Sequence, residues 1–138
     1  MAGDSILSIT EVPSFKEVIE KNARVVVDFT ATWCGPCKLI SPVFQKLSAE
    51  FGDKIAFIKV DVDEGAEIAG NVGVRAMPTF KFFLNGKQVS DLEVVGADKT
   101  NLRANIEKLA ALGDRPAEEQ QPADEEKPAE EQKPEASA

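Results

Sequence analysis

Residues 25–38 decide the fold, and they read Val-Val-Val-Asp-Phe-Thr-Ala-Thr-Trp-Cys-Gly-Pro-Cys-Lys. The β-branched run at the start shows no polar alternation, which is typical of a strand buried on both faces in the middle of a sheet. The run leads into Cys34 and Cys37, the only two cysteines of the chain. A disulfide between residues so close in sequence removes little entropy from the unfolded chain, so stabilisation is a poor reason for it. We therefore interpret the two cysteines as a redox pair.

The position of the pair assigns a role to each sulfur. Cys34 lies where the strand gives way to a helix, so the unpaired amides and positive end of that helix favour its thiolate. Lys38 adds a cation nearby, which has the same effect. Cys37 falls on the same helical face but deeper. We expect the Cys34 thiolate to attack a substrate disulfide and Cys37 to displace the substrate from the resulting mixed disulfide.

Asp28 is an acid inside an otherwise apolar strand, which should lie beneath the cysteines. Burial should raise the pKa of its carboxyl group, and the group could then act as a general base for Cys37 near neutral pH. Lys59, in the next apolar strand, is the nearest plausible cation to moderate this effect. The alternative is that Asp28 is an acid at the edge of the core, capped by a neighbour.

Hydrophobic spacing predicts nine elements along the chain. Strands are expected at 5–9, 25–29, 54–62, 79–84 and 88–95, and helices at 12–22, from the cysteine motif to 51, at 64–71 and at 98–112. The order β-α-β-α-β-α-β-β-α predicts an α/β fold with a mixed central sheet and helices on both faces.

Prolines, glycines and one asparagine refine this prediction. Pro42 removes a backbone donor and should kink the second helix about one turn after Cys37. Asn85 and Gly86 form the strongest short hairpin signal, because both central positions of that turn require positive φ, so the last two strands should be antiparallel. Gly52 and Gly113 are expected to end the helices before them.

Composition divides the chain into a domain at 1–113 and a tail at 114–138. The tail holds nine acids and three bases, whereas the whole chain of 138 residues has a net charge of −8. Its prolines recur every six residues at Pro116, Pro122, Pro128 and Pro134, and its only apolar side chains are alanines. We expect it to be disordered, since it cannot bury enough surface to offset its ordering entropy. Short helical turns or docking on a partner are the alternatives.

The charge and the N-terminus exclude several classes of function. Nucleic-acid and anionic-membrane binding both require a basic surface, which this acidic chain lacks. The sequence contains no apolar stretch of membrane-spanning length and no signal or transit pattern, so the expected compartment is the cytosol. Thiols are kept reduced there, which also favours a catalytic pair over a structural one.

Four segments together resemble the thioredoxin family over about residues 5–112. They are Val-Asp-Phe-Thr-Ala-Thr-Trp-Cys-Gly-Pro-Cys-Lys, Arg-Ala-Met-Pro-Thr, Asn-Gly-Lys and Val-Val-Gly-Ala. The resemblance implies the thioredoxin fold. It also implies that Cys34 is the nucleophile, Cys37 the resolving thiol, Asp28 the buried acid, Lys59 its partner and Pro78 the cis-proline whose loop faces the sulfurs. Thr30 stands where many bacterial members have tryptophan, so the pattern is more similar to eukaryotic cytosolic members; the acidic tail lies outside the family pattern.

The resemblance also implies a surface for target proteins. Base rates alone favour a trans bond before Pro78, but the family has a cis bond there, which would expose the Met77 backbone for pairing with an extended substrate. The expected surface is small, flat and apolar, and comprises Trp33, Gly35, Pro36, Met77, Pro78, Val95, Gly96 and Ala97. Trp33 could instead be a core residue.

As a family member, the chain would be a monomeric protein-disulfide reductase that carries electrons without a bound cofactor. Gly35-Pro36 is the dipeptide of reducing members. Electrons would come from NADPH through thioredoxin reductase, and the expected targets include peroxiredoxins, methionine sulfoxide reductases and ribonucleotide reductase. One alternative is a binding module whose working part is the acidic tail. Structural zinc fails on ligand count, because two cysteines and no histidine leave a four-ligand site half empty unless two chains share it.

Overall fold

The structure, a computed structural model, describes residues 6–112. The tail at 114–138, with its expected disorder, and the expected helix stop at Gly113 lie outside the described residues.

Four helices and six strands form the described part of the chain. The helices are α1 (Val12–Lys21), α2 (Gly35–Phe51), α3 (Ala66–Asn71) and α4 (Lys99–Leu112). The strands are β1 (Leu7–Ser8), β2 (Arg24–Thr30), β3 (Ala56–Asp61), β4 (Thr79–Leu84), β5 (Lys87–Gln88) and β6 (Val94–Val95). The predicted α/β class is confirmed.

The sheet is mixed, and β2 lies at its centre. The strand order is β1-β3-β2-β4-β5. The short strand β6 also pairs with β4, at the start of β4, whereas β5 pairs with its end. β3 runs parallel to β1 and β2, whereas β4 is antiparallel to β2 and to both short strands. Six of the seven β2 side chains are buried, because helices cover both faces of this strand, as its unbroken apolar run predicts.

The predicted strand at 88–95 is wrong, because that segment is two short strands with a 3-10 helix between them. Phe83 pairs with Gln88 and Phe80 with Val94, so the segment facing β4 holds three more residues than β4 does between these pairs. The 3-10 helix Ser90–Leu92 takes up the extra length. Its Leu92 is buried in the core, which offsets the ladder bonds that a continuous strand would have made.

The predicted hairpin turn is confirmed, and the predicted position of Pro42 within a long helix is seen as well. Asn85 and Gly86 have φ values of 52° and 85°, so the hairpin turn has the positive φ at both positions that the sequence predicts. Helix α2 continues through Pro42 to Phe51 as one helix. Pro42 lies inside the helix and does not end it, and the kink expected there stays a prediction. The first turn of α2 also contains Pro36, whose missing N–H has no helical partner to lose.

Helices pack against the sheet on two sides. Val26, Phe80 and Phe82 lie in one core cluster with residues of α2 and α4, including Ile40 and Leu102. The alternate side chains of the strands join α1 and α3 in a second cluster. Because side chains alternate along a strand, Asp28 shares the face of Val26 and lies on the α2 side of the sheet.

Helix α4 ends near the start of β2. Arg24 Nη1 donates to the carbonyl oxygen of Ala110 at 3.1 Å, in the last turn of α4. This bond satisfies a C-terminal carbonyl that has no helical partner. The other end of β2 leads to the cysteines.

Candidate active site

Cys34 and Cys37 form a disulfide at the start of α2, with their Cα atoms 5.3 Å apart. Cys34 is the N-cap residue of the helix, and its Sγ accepts a hydrogen bond from the Cys37 N–H at 3.1 Å. Helix N-termini have amides without helical partners, and here one of them is directed at the first sulfur. Cys34 and Cys37 are 5% and 3% exposed, so Cys37 is only slightly deeper than Cys34. The two residues differ mainly in that Cys34 is the N-cap and its sulfur accepts a backbone hydrogen bond.

A loop before β4 faces the first sulfur. The Met77–Pro78 peptide bond is cis, and the Met77 carbonyl oxygen lies 3.6 Å from Cys34 Sγ. Met77 also packs with Cys34 and Cys37 in a small apolar cluster that includes Ala31 and Val62. The loop therefore borders both sulfurs.

The end of β6 lies against the same loop. Val95 pairs with Thr79, and the Gly96 N–H donates to the Pro78 carbonyl oxygen at 2.8 Å. Val95 is 59% exposed. The backbone thus brings the segments around Cys34, Pro78 and Gly96 to one edge of the molecule.

Trp33 is 64% exposed beside Cys34, so it is not a core residue. Its indole Nε1–H donates to Asp63 Oδ2 at 2.8 Å. Asp63 belongs to the turn after β3, where Asp61 Oδ1 accepts the N–H groups of Asp63 and Glu64 at 2.8 and 3.2 Å. The hydrogen bonds of this turn thus fix the position of Asp63, which in turn binds the Trp33 indole.

Asp28 is buried on the α2 side of β2, with only 4% of its surface exposed. Burial raises the pKa of its carboxyl group to about 7, and the positive charge of Lys59 opposes part of the rise. Lys59 pairs in register with Asp28 on β3, but it is exposed. Among the described residues, Asp28 Oδ1 has no hydrogen-bond partner and no ion pair joins it to Lys59. Asp28 is therefore a carboxyl group that can hold or release a proton near neutral pH.

Sequence reasoning missed Asp63 and the ion pair between the buried Lys81 and the partly buried Glu93. The indole partner Asp63 lies in an acid-rich loop that resembles any solvated surface. Lys81 lies on β4 and is 5% exposed, and its Nζ is 2.9 Å from Glu93 Oε1. The only available signal for Lys81 was a lysine within the aromatic run Thr79–Leu84.

The redox pair lies outside a cavity at the other end of the sheet. That cavity, of about 310 Å³, is lined by the starts of β2 and β3, including Arg24 and Ala56. Between Ile6 and Leu112, no group of three or more histidine, cysteine or acidic side chains could hold a metal ion. No helix in this range is long and apolar enough to cross a membrane.

Comparison with known proteins gives consistent matches. The thioredoxin family model matches residues 6–108. A thioredoxin of Malassezia sympodialis is 53% identical over 104 residues, which cover 75% of this chain and 97% of that protein. Thioredoxin Asp f 29 of Aspergillus fumigatus is 51% identical and covers 74% of this chain and 93% of that protein.

Solved structures agree with these matches. The crystal structure of the Malassezia sympodialis thioredoxin has a TM-score of 0.72 at 51% identity, covering 77% of this chain and 91% of that one. A structure from work on thiol resolution in yeast mitochondrial 1-Cys peroxiredoxin, via the glutathione and thioredoxin systems, also has a TM-score of 0.72. It is 38% identical and covers 79% of this chain and 100% of that one.

Proposed function

Because the chain belongs to the thioredoxin family, we propose that Cys34 is the sulfur that attacks target disulfides and Cys37 the sulfur that releases the product. The chain is a thiol-disulfide oxidoreductase that reduces disulfides through this pair. It binds no cofactor and is reduced by thioredoxin reductase.

The proposed cycle moves two electrons to the target. In the reduced protein, the Cys34 thiolate attacks one sulfur of a target disulfide, whose S–S bond breaks as a mixed disulfide forms and the other target sulfur leaves as a thiolate. Cys37 then loses its proton and attacks Cys34 Sγ, which breaks the mixed disulfide and releases the second target sulfur. The target is now a dithiol, and Cys34 and Cys37 share the disulfide seen in the structure.

The hydrogen bond from the Cys37 N–H to Cys34 Sγ carries the assignment of the attacking sulfur. An amide donor and the helix N-terminus both favour negative charge on Cys34. Cys37 lies inside the first turn, where burial disfavours its thiolate. Its thiol must therefore lose a proton to an acceptor before it can attack. Asp28 is the proposed acceptor, since the pKa of its carboxyl group is raised to about 7. Lys59 is the proposed moderator of Asp28.

A trapping experiment tests the order of attack. The Cys37→Ser protein should accumulate covalent adducts on Cys34 when reduced and mixed with insulin, because the second displacement cannot occur. Mass spectrometry of the non-reduced protein measures the adduct. The Cys34→Ser protein, as the matched control, should form none. Adducts on Cys37 in the Cys34→Ser protein, with none on Cys34 in the Cys37→Ser protein, would reverse the assignment.

The proposed target surface surrounds the sulfurs. Most of its members are exposed or partly exposed, namely Trp33, Gly35, Pro36, Met77, Val95, Gly96 and Ala97, whereas Pro78 is buried. The proximity of the Met77 carbonyl to Cys34 Sγ supports this surface, because a target strand lying along that backbone would bring its disulfide to the attacking sulfur.

We extend the proposal to the targets, the compartment and the division of the chain. Targets would include peroxiredoxins, methionine sulfoxide reductases and ribonucleotide reductase; a yeast structural neighbour comes from work on a peroxiredoxin. The protein would act as a monomer in the cytosol, using electrons from NADPH. Residues 1–113 would form the redox domain and 114–138 a separate acidic tail, and the family match to residues 6–108 supports this division.

A further inference from the structure

Lys81 is a buried lysine that the redox chemistry does not use. Its side chain is 6% exposed, and its Nζ donates to Glu93 Oε1 at 2.9 Å, while the Glu93 side chain is 30% exposed. Removing an ammonium group from water is costly unless a partner compensates it. A charge pair at such a place in a strand therefore suggests a role that apolar residues would not fill.

The pair lies in register with the ladder that reaches the sulfurs. Thr79 pairs with Val95, and Phe80 pairs with Val94. Lys81 and Glu93 are the next residues along both segments, so their side chains project from the same side of the sheet. Glu93 is also the first residue after the 3-10 helix Ser90–Leu92. The ion pair thus forms where the chain rejoins the sheet.

Register is weakly defined at this point by the backbone alone. β6 has two residues, and the segment before it departs from the ladder of β5. At the other end of β6, the Gly96 N–H donates to the Pro78 carbonyl oxygen. A shift of one residue would reverse which side chain faces outward, and would bury Val95 in place of Val94.

We propose that Lys81 and Glu93 are positioning residues whose ion pair fixes the register of β6 on β4 and so holds Val95 and Gly96 against the Met77–Pro78 loop that borders Cys34. This inference rests on the proposed target surface. The pair acts on the binding of target proteins, since it touches neither sulfur. Reaction with a small disulfide, which needs only access to Cys34, does not depend on it.

The test compares a protein disulfide with a small one. In Lys81→Met, we expect the KM for insulin to rise about three- to tenfold with kcat nearly unchanged, the effect of a displaced binding edge. The rate with 5,5′-dithiobis(2-nitrobenzoate) should stay the same. Lys81→Arg keeps the charge and should restore the KM. Hydrogen exchange of the Gly96 amide, measured by NMR, should be faster in Lys81→Met than in wild type.

Two further variants make the outcome decisive. Lys21→Met breaks the exposed Lys21–Glu17 pair of α1, which has a distance of 2.7 Å, and should leave the KM unchanged. The double variant Lys81→Met with Glu93→Gln removes both charges, so it keeps the test valid where the single variant folds poorly, and it should show the same rise in KM.

Val95→Ser separates this inference from the proposed surface. If Val95→Ser raises the KM for insulin and neither Lys81 variant does, the surface stands and the positioning role is wrong. If Val95→Ser also leaves the KM unchanged, the surface itself is wrong and the inference falls with it. Equal losses with insulin and the small disulfide in Lys81→Met would likewise overturn the positioning role.

Discussion

Asp28 combines two properties that rarely occur together in a stable interior. Its carboxyl group is buried, and its Oδ1 has no hydrogen-bond partner among the described residues. Such a group favours its neutral form, because desolvation penalises the charge more than Lys59 compensates it. The protein therefore keeps a destabilising ionisation at the place where the proposed cycle needs a proton acceptor.

Replacing Asp28 with asparagine should make the oxidised protein more stable at high pH. The pKa of the folded carboxyl group is about 7, against an ordinary value of 3.8. Between these values the unfolded chain releases its proton while the folded chain keeps it, so the stability of the wild type falls as pH rises. Above pH 7, the free energy of unfolding of the wild type has fallen by about 4 kcal/mol from its value below pH 3.8.

Urea unfolding of the oxidised wild type and Asp28→Asn proteins from pH 4 to pH 8 measures this effect, because the disulfide leaves no thiol to titrate. The stability advantage of the variant should grow across this range. A constant difference would show that Asp28 has an ordinary pKa.

In the reduced protein, the same variant should release trapped targets more slowly near pH 7, and an unchanged release rate would remove the general-base role.

Asp63 should restrict the motion of Trp33. The indole is mostly exposed, and its hydrogen bond to the Asp63 carboxylate holds it; a bond of this kind contributes about 1 kcal/mol. Trp33 is the only tryptophan of the chain, so fluorescence reports on it alone. We expect Asp63→Ala to lower the fluorescence anisotropy of Trp33. Glu64→Ala, which removes the neighbouring exposed acid, should not, and equal anisotropy in all three proteins would exclude this role.

At the scale of elements, the join of β3 to α3 depends on close packing at one glycine. A Cβ added at Gly65 would lie 2.9 Å from Val60 Cγ1 and 3.2 Å from the Asp61 carbonyl oxygen. Gly65→Ala should therefore destabilise the protein by about 1–3 kcal/mol, as overpacking does. Gly70, within α3, has nothing within 4 Å of an added Cβ. Gly70→Ala should stabilise by about 0.5–1 kcal/mol through helix propensity. Thermal unfolding measures both, and opposite signs are required.

Sequence predicts an element well when the residue pattern of that element alone determines its structure, without reference to the strand or helix that it packs against. The strand β2 has three consecutive valines and Phe29 with no polar alternation, because helices cover both of its faces. Any other structure for this run would leave valines exposed to water. The segment 88–95 has an equally strand-like composition, but its three surplus residues become apparent only against β4. The surplus can be counted only when the paired residues of both strands are known, and the sequence of the segment alone does not give those pairs.

The same distinction applies to the site. Cys34 and Cys37 could be predicted because their chemistry depends on spacing and on the start of a helix, both of which are local. Asp28 stood out as an acid in an apolar strand. Asp63 and Glu93 did not, since in a chain that is 29% charged an acid in a loop is unremarkable until its partner is known.

At the scale of the whole molecule, residues 114–138 should be dispensable for the redox domain. The two large core clusters are built from residues between Ile6 and Leu112, and the tail offers no apolar side chain beyond alanine. A protein ending at Gly113 should unfold at the same temperature and reduce insulin at the same rate. Its net charge should change by six units, because the tail has nine acids and three bases. A lower unfolding temperature would show that the tail contributes to the fold.

The contact between Arg24 and the last turn of α4 has a practical consequence for orientation. It places the end of α4 by the first residue of β2, while Cys34 follows the last one, and seven strand residues span about 20 Å. Leu112 therefore lies at the end of the molecule opposite the sulfurs. A resin or electrode coupled there would present every disulfide outward, so immobilised protein should remain open to large targets.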